Sequence, residues 1–194
     1  MGQIFNNFAQ INEHLIVGSH PRDSEDIRVL YYQNGVRAIV NLQRSGEPLR
    51  GDIDAITERC ALLGNRIWYQ RVPIEDGSQV SLSNNLREAV GILNRAIQEK
   101  VTQPGETVYL HCCEGLVRSP SVAVAYLYWF TDIPLNGADA LVRARRIGAE
   151  PRLPAINDAT NHILRAVVIG GILGAPNRGT IPRYVTQLPR VLNA

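Results

Sequence analysis

One short segment of this 194-residue chain, TVYLHCCEGLVRSPSVAVAYL at residues 107–127, carries the residue types best suited to chemistry. Cys112 directly follows an apolar strand, and Arg118 lies six residues further along. A cysteine thiolate is a strong nucleophile, and an arginine guanidinium donates two parallel hydrogen bonds to one phosphate group. The spacing therefore predicts a nucleophile, Cys112, that faces an anion clamp, Arg118.

A loop of residues 112–118 joins the strand, which ends at His111, to a helix that opens at Ser119 and Pro120. Proline is favoured in a first helical turn, and Gly115 lies in the middle of the loop, where we expect a positive φ. In such a strand–loop–helix unit, successive backbone N–H groups and the helix dipole form an anion cradle. We therefore predict that phosphate is bound by the loop residues Cys113, Glu114, Gly115, Leu116, Val117 and Arg118.

The residues at the two ends of this loop have predicted roles in a reaction. The cradle favours the thiolate form of Cys112, and the Ser119 hydroxyl is placed to hydrogen-bond that sulfur and to ease its departure in a second step. His111 is expected to hold the loop backbone from behind rather than to exchange protons. The alternative is that Cys112 is a buried cysteine that packs as a small hydrophobic residue. The joint placement of His, Cys, Gly, Arg and Ser favours the catalytic interpretation.

Apolar strands alternate with amphipathic helices along the chain that must position this loop. Strands are predicted at residues 15–18, 37–42, 67–71 and 107–111. Helices are predicted at residues 24–33, 52–63, 83–100, 119–130, 136–146 and 154–168. Asp23 or Ser24 is the expected N-cap of the first helix, and Ser83 that of the third. The alternation predicts an α/β fold in which a mostly parallel central sheet of about four or five strands is flanked by helices.

The composition is that of a globular chain, since 45% of the residues are hydrophobic and 20% are charged. It excludes a disordered, collagen-like or coiled-coil protein. At roughly 150 residues per domain, we expect one catalytic domain at residues 1–170. Residues 171–194 are rich in Gly, Pro and Arg and are expected to form a basic C-terminal arm that is extended or partly disordered.

Charge and cysteine content limit the location and the partners. Three cysteines are too few for a disulfide framework, so the sequence indicates a reducing, cytoplasmic location. The apolar run at residues 166–173 is shorter than the ~18 residues of a membrane span, and no secretory signal is visible. A net charge of +2 is too small for a general nucleic-acid binder. We therefore expect neither a membrane nor a nucleic acid as a partner, and the oligomeric state stays open.

The run HCCEGLVRS resembles the H-C-x-x-G-x-x-R-S/T signature of the cysteine-dependent protein tyrosine phosphatases, and the short chain points to their dual-specificity branch. Outside the signature, residues 15–41, 123–130 and 151–164 are similar to laforin-type and plant starch-excess-type glucan phosphatases. The resemblance covers roughly residues 11–165. It implies a single protein-tyrosine-phosphatase-like domain that hydrolyses phosphomonoesters through a cysteinyl-phosphate intermediate, without a metal or another cofactor.

The resemblance also implies a general acid on a neighbouring loop, which protonates the leaving oxygen. The run RVPIEDGSQ at residues 71–79 follows the third predicted strand and offers two carboxylates. Asp76 is the one that matches the family, and Glu75 is the alternative. In extended backbone the two side chains point in opposite directions, so only one of them faces Cys112. Gly77 is expected to let this loop approach the phosphate closely.

Two substrate classes remain open. The glucan phosphatases usually carry C-x-A-G-x-G-R, whereas this chain has Glu114 in place of Ala and Val117 in place of the second Gly. The loop therefore favours phosphorylated protein (Tyr and Ser/Thr), and the similarity outside the loop favours phosphorylated glucan. The loop positions between Cys112 and Arg118 include no Lys or Arg, which argues against inositol polyphosphates. A pseudophosphatase that binds phospho-ligands without turnover is a further alternative.

Three other groups of residues give weaker indications. The histidines lack metal-ligand spacing, so we expect no metal site at His14, His20, His111 or His162. Core packing is preferred over a sugar-stacking platform for Trp68, Tyr69, Tyr126, Tyr128, Trp129 and Phe130, and Cys60 is also expected in the core. A solvated face and a guide for anionic substrates are equally favoured for Arg143, Arg145, Arg146 and Arg152.

Overall fold

A computed structural model describes residues 6–45, Glu47 and residues 66–173, with backbone alone for residues 166–173. The described residues form one five-stranded sheet with the order β1-β2-β5-β3-β4. The strands are β1 (Phe8–Asn12), β2 (Leu15–Gly18), β3 (Val36–Asn41), β4 (Trp68–Arg71) and β5 (Thr107–His111). β1 pairs antiparallel with β2, and the other three pairings are parallel. The predicted mostly parallel sheet is confirmed, although β1 was not predicted.

Five α-helices surround this sheet in the part of the chain that the structure describes. They are α1 (Ser24–Arg28), which continues as a π-helical turn at Val29–Gln33, α2 (Gln79–Lys100), α3 (Arg118–Phe130), α4 (Leu135–Arg145) and α5 (Leu153–Leu173). The side chain of Asp23 caps α1 by accepting hydrogen bonds from the N–H groups of Glu25 and Asp26. Each of these helices corresponds to a predicted one.

Two helix boundaries differ from those predicted. Ser78, not Ser83, caps α2, because the Ser78 hydroxyl accepts the N–H of Ser81 at 3.1 Å and Ser83 lies inside the helix. α5 runs through Leu173, so the domain boundary predicted at residue 170 falls within its last turn. The predicted helix at residues 52–63, with Cys60, and the arm at residues 174–194 lie outside the described residues.

The two faces of the sheet are covered by different layers. Alternate residues of β5 point to opposite faces: Val108 and Leu110 join an apolar cluster with α2, α3 and α5, whereas Tyr109 joins a smaller cluster with α1. Because both faces are buried, the three central residues of the strand, Val108, Tyr109 and Leu110, are apolar or aromatic without alternation. Central β5 is therefore held from both sides, and the loop that follows it starts from a fixed point.

The parallel strands bring three loops together at one edge of the sheet. β3, β4 and β5 end side by side, with Asn41 paired to both Arg71 and His111. Residues that follow these strands, including Glu47, Asp76 and Cys112, therefore meet at the carboxyl edge, where ligands bind in open α/β sheets.

The aromatic residues of α3 pack within the structure. Tyr126 stacks on Phe130 with ring centroids 6.1 Å apart. Trp129 is buried, and its indole N–H donates to the Thr160 hydroxyl at 3.0 Å. This favours core packing over a sugar-stacking surface. Within residues 6–45 and 66–173, no helix combines the length and the apolar character that a membrane crossing requires.

Candidate active site

The 112–118 loop turns its carbonyl groups away from its concave side. The carbonyl oxygens of residues 113–117 each accept a hydrogen bond of 2.7–3.1 Å from another part of the protein. The donors, in loop order, are the backbone N–H of His20, the Arg146 guanidinium twice, the backbone N–H of Glu150, and Ser121. In a trans peptide the C=O and the next N–H point in opposite directions. The N–H groups of residues 114–118 therefore face the concave side and form an anion cradle.

Gly115 allows the loop to pack directly against the end of β2. Its φ is +72°, as expected from the sequence. A Cβ at this position would lie 2.4 Å from the carbonyl carbon and oxygen of Gly18. Any side chain at residue 115 therefore displaces the backbone of the loop or of β2, a restriction that the sequence did not indicate.

Arg146 supports the 112–118 loop through hydrogen bonds to its carbonyl groups. It is buried, and it donates to the carbonyls of Glu114 and Gly115 and to the side chain of Asn7. Burial lowers the pKa of Arg146 below its usual value. The prediction of a solvated or substrate-guiding residue is therefore wrong for Arg146. The available signal was its helical spacing after Ala138 and Val142, which are both buried on α4.

The structure brings Cys112, Ser119 and His111 together as predicted from their spacing. Cys112 Sγ lies 3.3 Å from Ser119 Oγ, and both residues are buried. His111 Nδ1 lies 3.2 Å from the Cys112 carbonyl, and a carbonyl only accepts, so Nδ1 carries the proton. Burial lowers the pKa of His111 to about 3, which keeps the ring neutral. The neutral ring holds the loop backbone at Cys112, the predicted nucleophile.

Arg118 is only 2% exposed, and its four Nη hydrogens already have partners in the protein. Nη1 donates to a Glu47 oxygen at 2.7 Å and to the Ile74 carbonyl at 2.9 Å. Nη2 donates to the other Glu47 oxygen at 2.9 Å and to Cys113 Sγ at 3.1 Å. Nε lies 3.1 Å from Asp76 Oδ1, an ion pair without hydrogen-bond alignment. A phosphate group that engages Arg118 must displace part of this network.

Glu47 is a site residue that the sequence analysis did not identify. Burial alone would raise the pKa of its carboxyl, but hydrogen bonds from Arg118, Cys113 and the Arg44 backbone hold that pKa below its usual value. Burial and the hydrogen bond to Glu47 raise the pKa of the Cys113 thiol to about 11, so this thiol is protonated at neutral pH. Glu47 and Arg118 lie 71 positions apart, and no spacing rule connects them.

The two candidate acids point in different directions. Asp76 contacts Arg118 and is 62% exposed, whereas Glu75 Oε1 accepts from Arg44 Nη1 at 2.9 Å. Asp76 is therefore the carboxylate on the side of the cradle. Gly77 has a φ of +73°, and a Cβ at this position would meet no atom of a described residue beyond its chain neighbours within 4 Å. The close approach of its loop to a phosphate stays a prediction. The positive φ at position 77 is the reason that glycine is favoured there.

The remaining histidines and arginines are dispersed. Across residues 6–45, 47 and 66–173, no three His, Cys, Asp or Glu side chains are grouped as metal ligands. The His20 ring lies 5.7 Å from that of His111, behind the cradle. Arg143 pairs with Asp139 on α4, and Arg145 is exposed. Arg152 borders a cavity beside Arg118.

Comparison with known proteins identifies the family. Residues 24–158 match the family model described as the catalytic domain of dual specificity phosphatases. The chain therefore belongs to the dual specificity phosphatase family, which confirms the resemblance drawn from HCCEGLVRS.

Relatives within this family differ in the substrate that their names give. The chain is 30% identical over 169 residues, 87% of its length, to the chloroplastic phosphoglucan phosphatase LSF1 of Arabidopsis thaliana. It is 30% identical over 95 residues, 49% of its length, to dual specificity protein phosphatase 5 of Homo sapiens. The chain spans 27% and 23% of these two relatives. Its fold resembles that of PTPMT1, solved with PI(5)P: the TM-score is 0.63 at 18% identity, over 80% of this chain and 94% of that one.

Proposed function

We propose that this protein hydrolyses phosphomonoesters through a covalent cysteinyl-phosphate. The observation that carries the proposal is the position of Cys112 Sγ, 3.3 Å from Ser119 Oγ at the base of a loop whose N–H groups face inward. In the first step the sulfur attacks phosphorus, and the bond from phosphorus to the leaving oxygen breaks. Asp76 gives its proton to that oxygen.

The second step returns the enzyme to its starting state. Asp76, now ionised, takes a proton from a water molecule, and the resulting hydroxide attacks phosphorus. The sulfur–phosphorus bond breaks, and the Ser119 hydroxyl donates a hydrogen bond to the departing sulfur. In both steps the loop N–H groups and Arg118 stabilise the charge on the three equatorial oxygens.

Phosphorylated protein, on Tyr and on Ser or Thr, is the substrate class that the site favours. Sugar recognition commonly uses exposed aromatic rings, and the cavity beside Arg118 has no aromatic residue among its described lining residues. Residues 46–65, which follow β3 in the sequence, also contain no Phe, Tyr or Trp. Phosphorylated glucan is a second candidate, since the similarity to LSF1 covers 87% of the chain.

The decisive experiment compares four substrates: p-nitrophenyl phosphate, a phosphotyrosine peptide, a phosphoserine peptide and solubilised phosphorylated amylopectin. We expect release of phosphate from the first three and a kcat/KM for the phosphotyrosine peptide at least tenfold above that for amylopectin. Cys112→Ser should abolish turnover but retain vanadate binding, because the cradle consists mostly of backbone N–H groups. Cys113→Ser is the matched control and should remain active.

Each contrary result identifies a specific error. If Cys112→Ser is active, or if only Cys113→Ser loses activity, the assignment of Cys112 as the nucleophile is wrong. A preference for amylopectin contradicts the protein substrate. Phosphate binding without turnover of any substrate indicates a pseudophosphatase.

The free, buried Cys112 and Cys113 support our proposal that the protein works in a reducing compartment such as the cytoplasm.

A further inference from the structure

The cavity beside Arg118 has a volume of about 180 Å³ and lies between residues 75–79 and the 112–118 loop. Cys112 is not among its lining residues, so this space is adjacent to the cradle and separate from its base. Its walls include Ser78, Gln79, Leu82, Val117, Arg118 and Arg152. One wall is thus shared with the site of phosphoryl transfer.

The charges around this cavity favour an anion. Arg152 is exposed, and its guanidinium has no hydrogen bond or ion pair with any residue that the structure describes. Its backbone N–H donates to Ser121 Oγ at 2.9 Å, which fixes the position of the chain relative to α3. The carboxylate of Glu75, which also borders the cavity, is paired with Arg44 at 2.9 Å. Arg118 is itself paired with Glu47 and Asp76, so Arg152 is the cation without a carboxylate partner among the described residues that line this cavity.

An anionic group that binds in this cavity would belong to the part of the substrate that lies close to the transferred phosphate. Arg118 lines the cavity and is also the proposed phosphate clamp, so a group bound in the cavity would lie next to the phosphate that is transferred. An extended chain spans at most about 3.3–3.6 Å per residue. An acidic side chain one or two residues from the phosphorylated residue is therefore within reach of Arg152.

We infer that Arg152 is a specificity-determining residue, and that the cavity beside Arg118 binds a carboxylate or a second phosphate next to the phosphorylated residue of a peptide substrate. This inference rests on the proposed phosphatase function and narrows its substrate class to acidic phosphopeptides. Arg152 would act on binding, since it stands apart from the sulfur and the leaving oxygen.

The test uses two phosphotyrosine peptides that differ only in having Glu or Gln at the two positions on each side of the phosphotyrosine. We expect the unsubstituted 194-residue chain to have a kcat/KM about fivefold higher for the Glu peptide than for the Gln peptide, because its KM for the Glu peptide is lower. In Arg152→Gln this ratio should fall to about one. Arg145→Gln removes the same charge from an exposed position outside the cavity and should keep the ratio. The ratio should also shrink at 0.5 M NaCl, because partly exposed charge pairs are screened.

A binding measurement separates this inference from the proposed function. Fluorescence anisotropy with Cys112→Ser and the labelled peptides reports the same preference when no turnover occurs, with Arg152→Gln added as a second change. Equal affinity for the two peptides overturns the inference even if p-nitrophenyl phosphate is hydrolysed. An equal loss in the Arg145 and Arg152 variants also overturns it, because a general field would then explain the preference. If the unsubstituted chain binds the Glu peptide more tightly but hydrolyses no substrate, the proposed catalysis is refuted and the role of Arg152 in binding is kept.

Discussion

The cradle has two walls of opposite character. The rear wall, formed by His111, Gly115 and Arg146, is buried and acts on backbone carbonyls or by close packing. The front wall, formed by Arg44, Glu47, Glu75 and Asp76, acts through ion pairs between side chains, and Arg44, Glu75 and Asp76 are more than half exposed. Both walls meet at the 112–118 loop.

The rear wall holds the loop N–H groups, which must stay fixed, whereas the front wall holds partners of Arg118 that must be exchanged for phosphate. N–H groups stabilise a transition state only if they are held in place before the reaction, and buried hydrogen bonds to the loop carbonyls do this. Arg118 must release some of its own partners when phosphate arrives. Exposed ion pairs contribute little to stability, typically about 0.2–1 kcal/mol, so the Arg44–Glu75 pair rearranges at small cost. The Glu47–Arg118 pair is mostly buried, so an incoming phosphate must replace its hydrogen bonds as they are released. Four variants test this division.

Arg118→Lys should have the largest effect, because Arg118 binds the front-wall carboxylates and belongs to the loop that the rear wall holds. An ammonium is a point charge and cannot reproduce the two parallel hydrogen bonds of a guanidinium. We expect kcat on p-nitrophenyl phosphate to fall by about 10²–10³-fold, the usual effect of losing one oriented transition-state donor. A change within threefold would show that Arg118 is not the clamp.

Asp76→Asn should slow hydrolysis of an alkyl phosphate such as phosphoserine by about 10²-fold, since general acid catalysis matters most for a poor leaving group. The loss should be much smaller for p-nitrophenyl phosphate, whose leaving group is good. Glu75→Gln is the matched control, because Glu75 points to Arg44. The opposite pattern, with Glu75→Gln sensitive to the leaving group, would exchange the roles of the two carboxylates.

Arg146→Met should lower both stability and activity. The change leaves the buried Gly115 carbonyl and the partly buried Glu114 carbonyl without the Arg146 donor, and a buried unpaired group costs about 1–3 kcal/mol. We expect a lower midpoint in urea unfolding and a kcat reduced about tenfold in the fraction that stays folded. Arg145→Met, one residue earlier and exposed, should change neither. Full activity in Arg146→Met would mean that the rear wall does not hold the cradle.

Glu47→Gln should have the smallest effect, and its sign is informative. With the carboxylate charge removed, an incoming anion has less to displace from Arg118, so vanadate should inhibit about fivefold more tightly in a competition assay. Weaker inhibition would show instead that Glu47 positions the guanidinium for phosphate. Glu47 would then act as a fixed positioning residue, like those of the rear wall, and not as a partner that phosphate displaces.

The part of the site predicted from sequence is the part that is local in the chain. His111, Cys112, Gly115, Arg118 and Ser119 lie within nine residues, and a strand–loop–helix unit fixes their relation. The strands were predicted for the same reason, because β3 and β5 are apolar runs buried on both faces. β1 was missed, since FAQIN alternates weakly and pairs only at the edge of the sheet.

The unpredicted part depends on tertiary contacts between distant segments. Glu47 reaches Arg118 only because β3 and β5 are neighbours in the sheet, an order that the sequence did not specify. Gly18 meets Gly115 for the same reason, through the pairing of β2 with β5. Asp76 was found through the resemblance to a family, because two adjacent carboxylates in a loop are by themselves a common surface feature.

The order of the chain has a consequence for the newly synthesised protein. The residues of the cradle, 112–118, precede in synthesis the groups that hold its carbonyls from outside, Arg146 and Glu150. A nascent chain that ends before residue 150 therefore has Cys112 without all the hydrogen bonds that hold the 112–118 loop around it. If the proposed site is correct, the affinity for phosphate is acquired late during translation, and a ribosome-bound fragment that already contains HCCEGLVRS still lacks the groups that hold the loop.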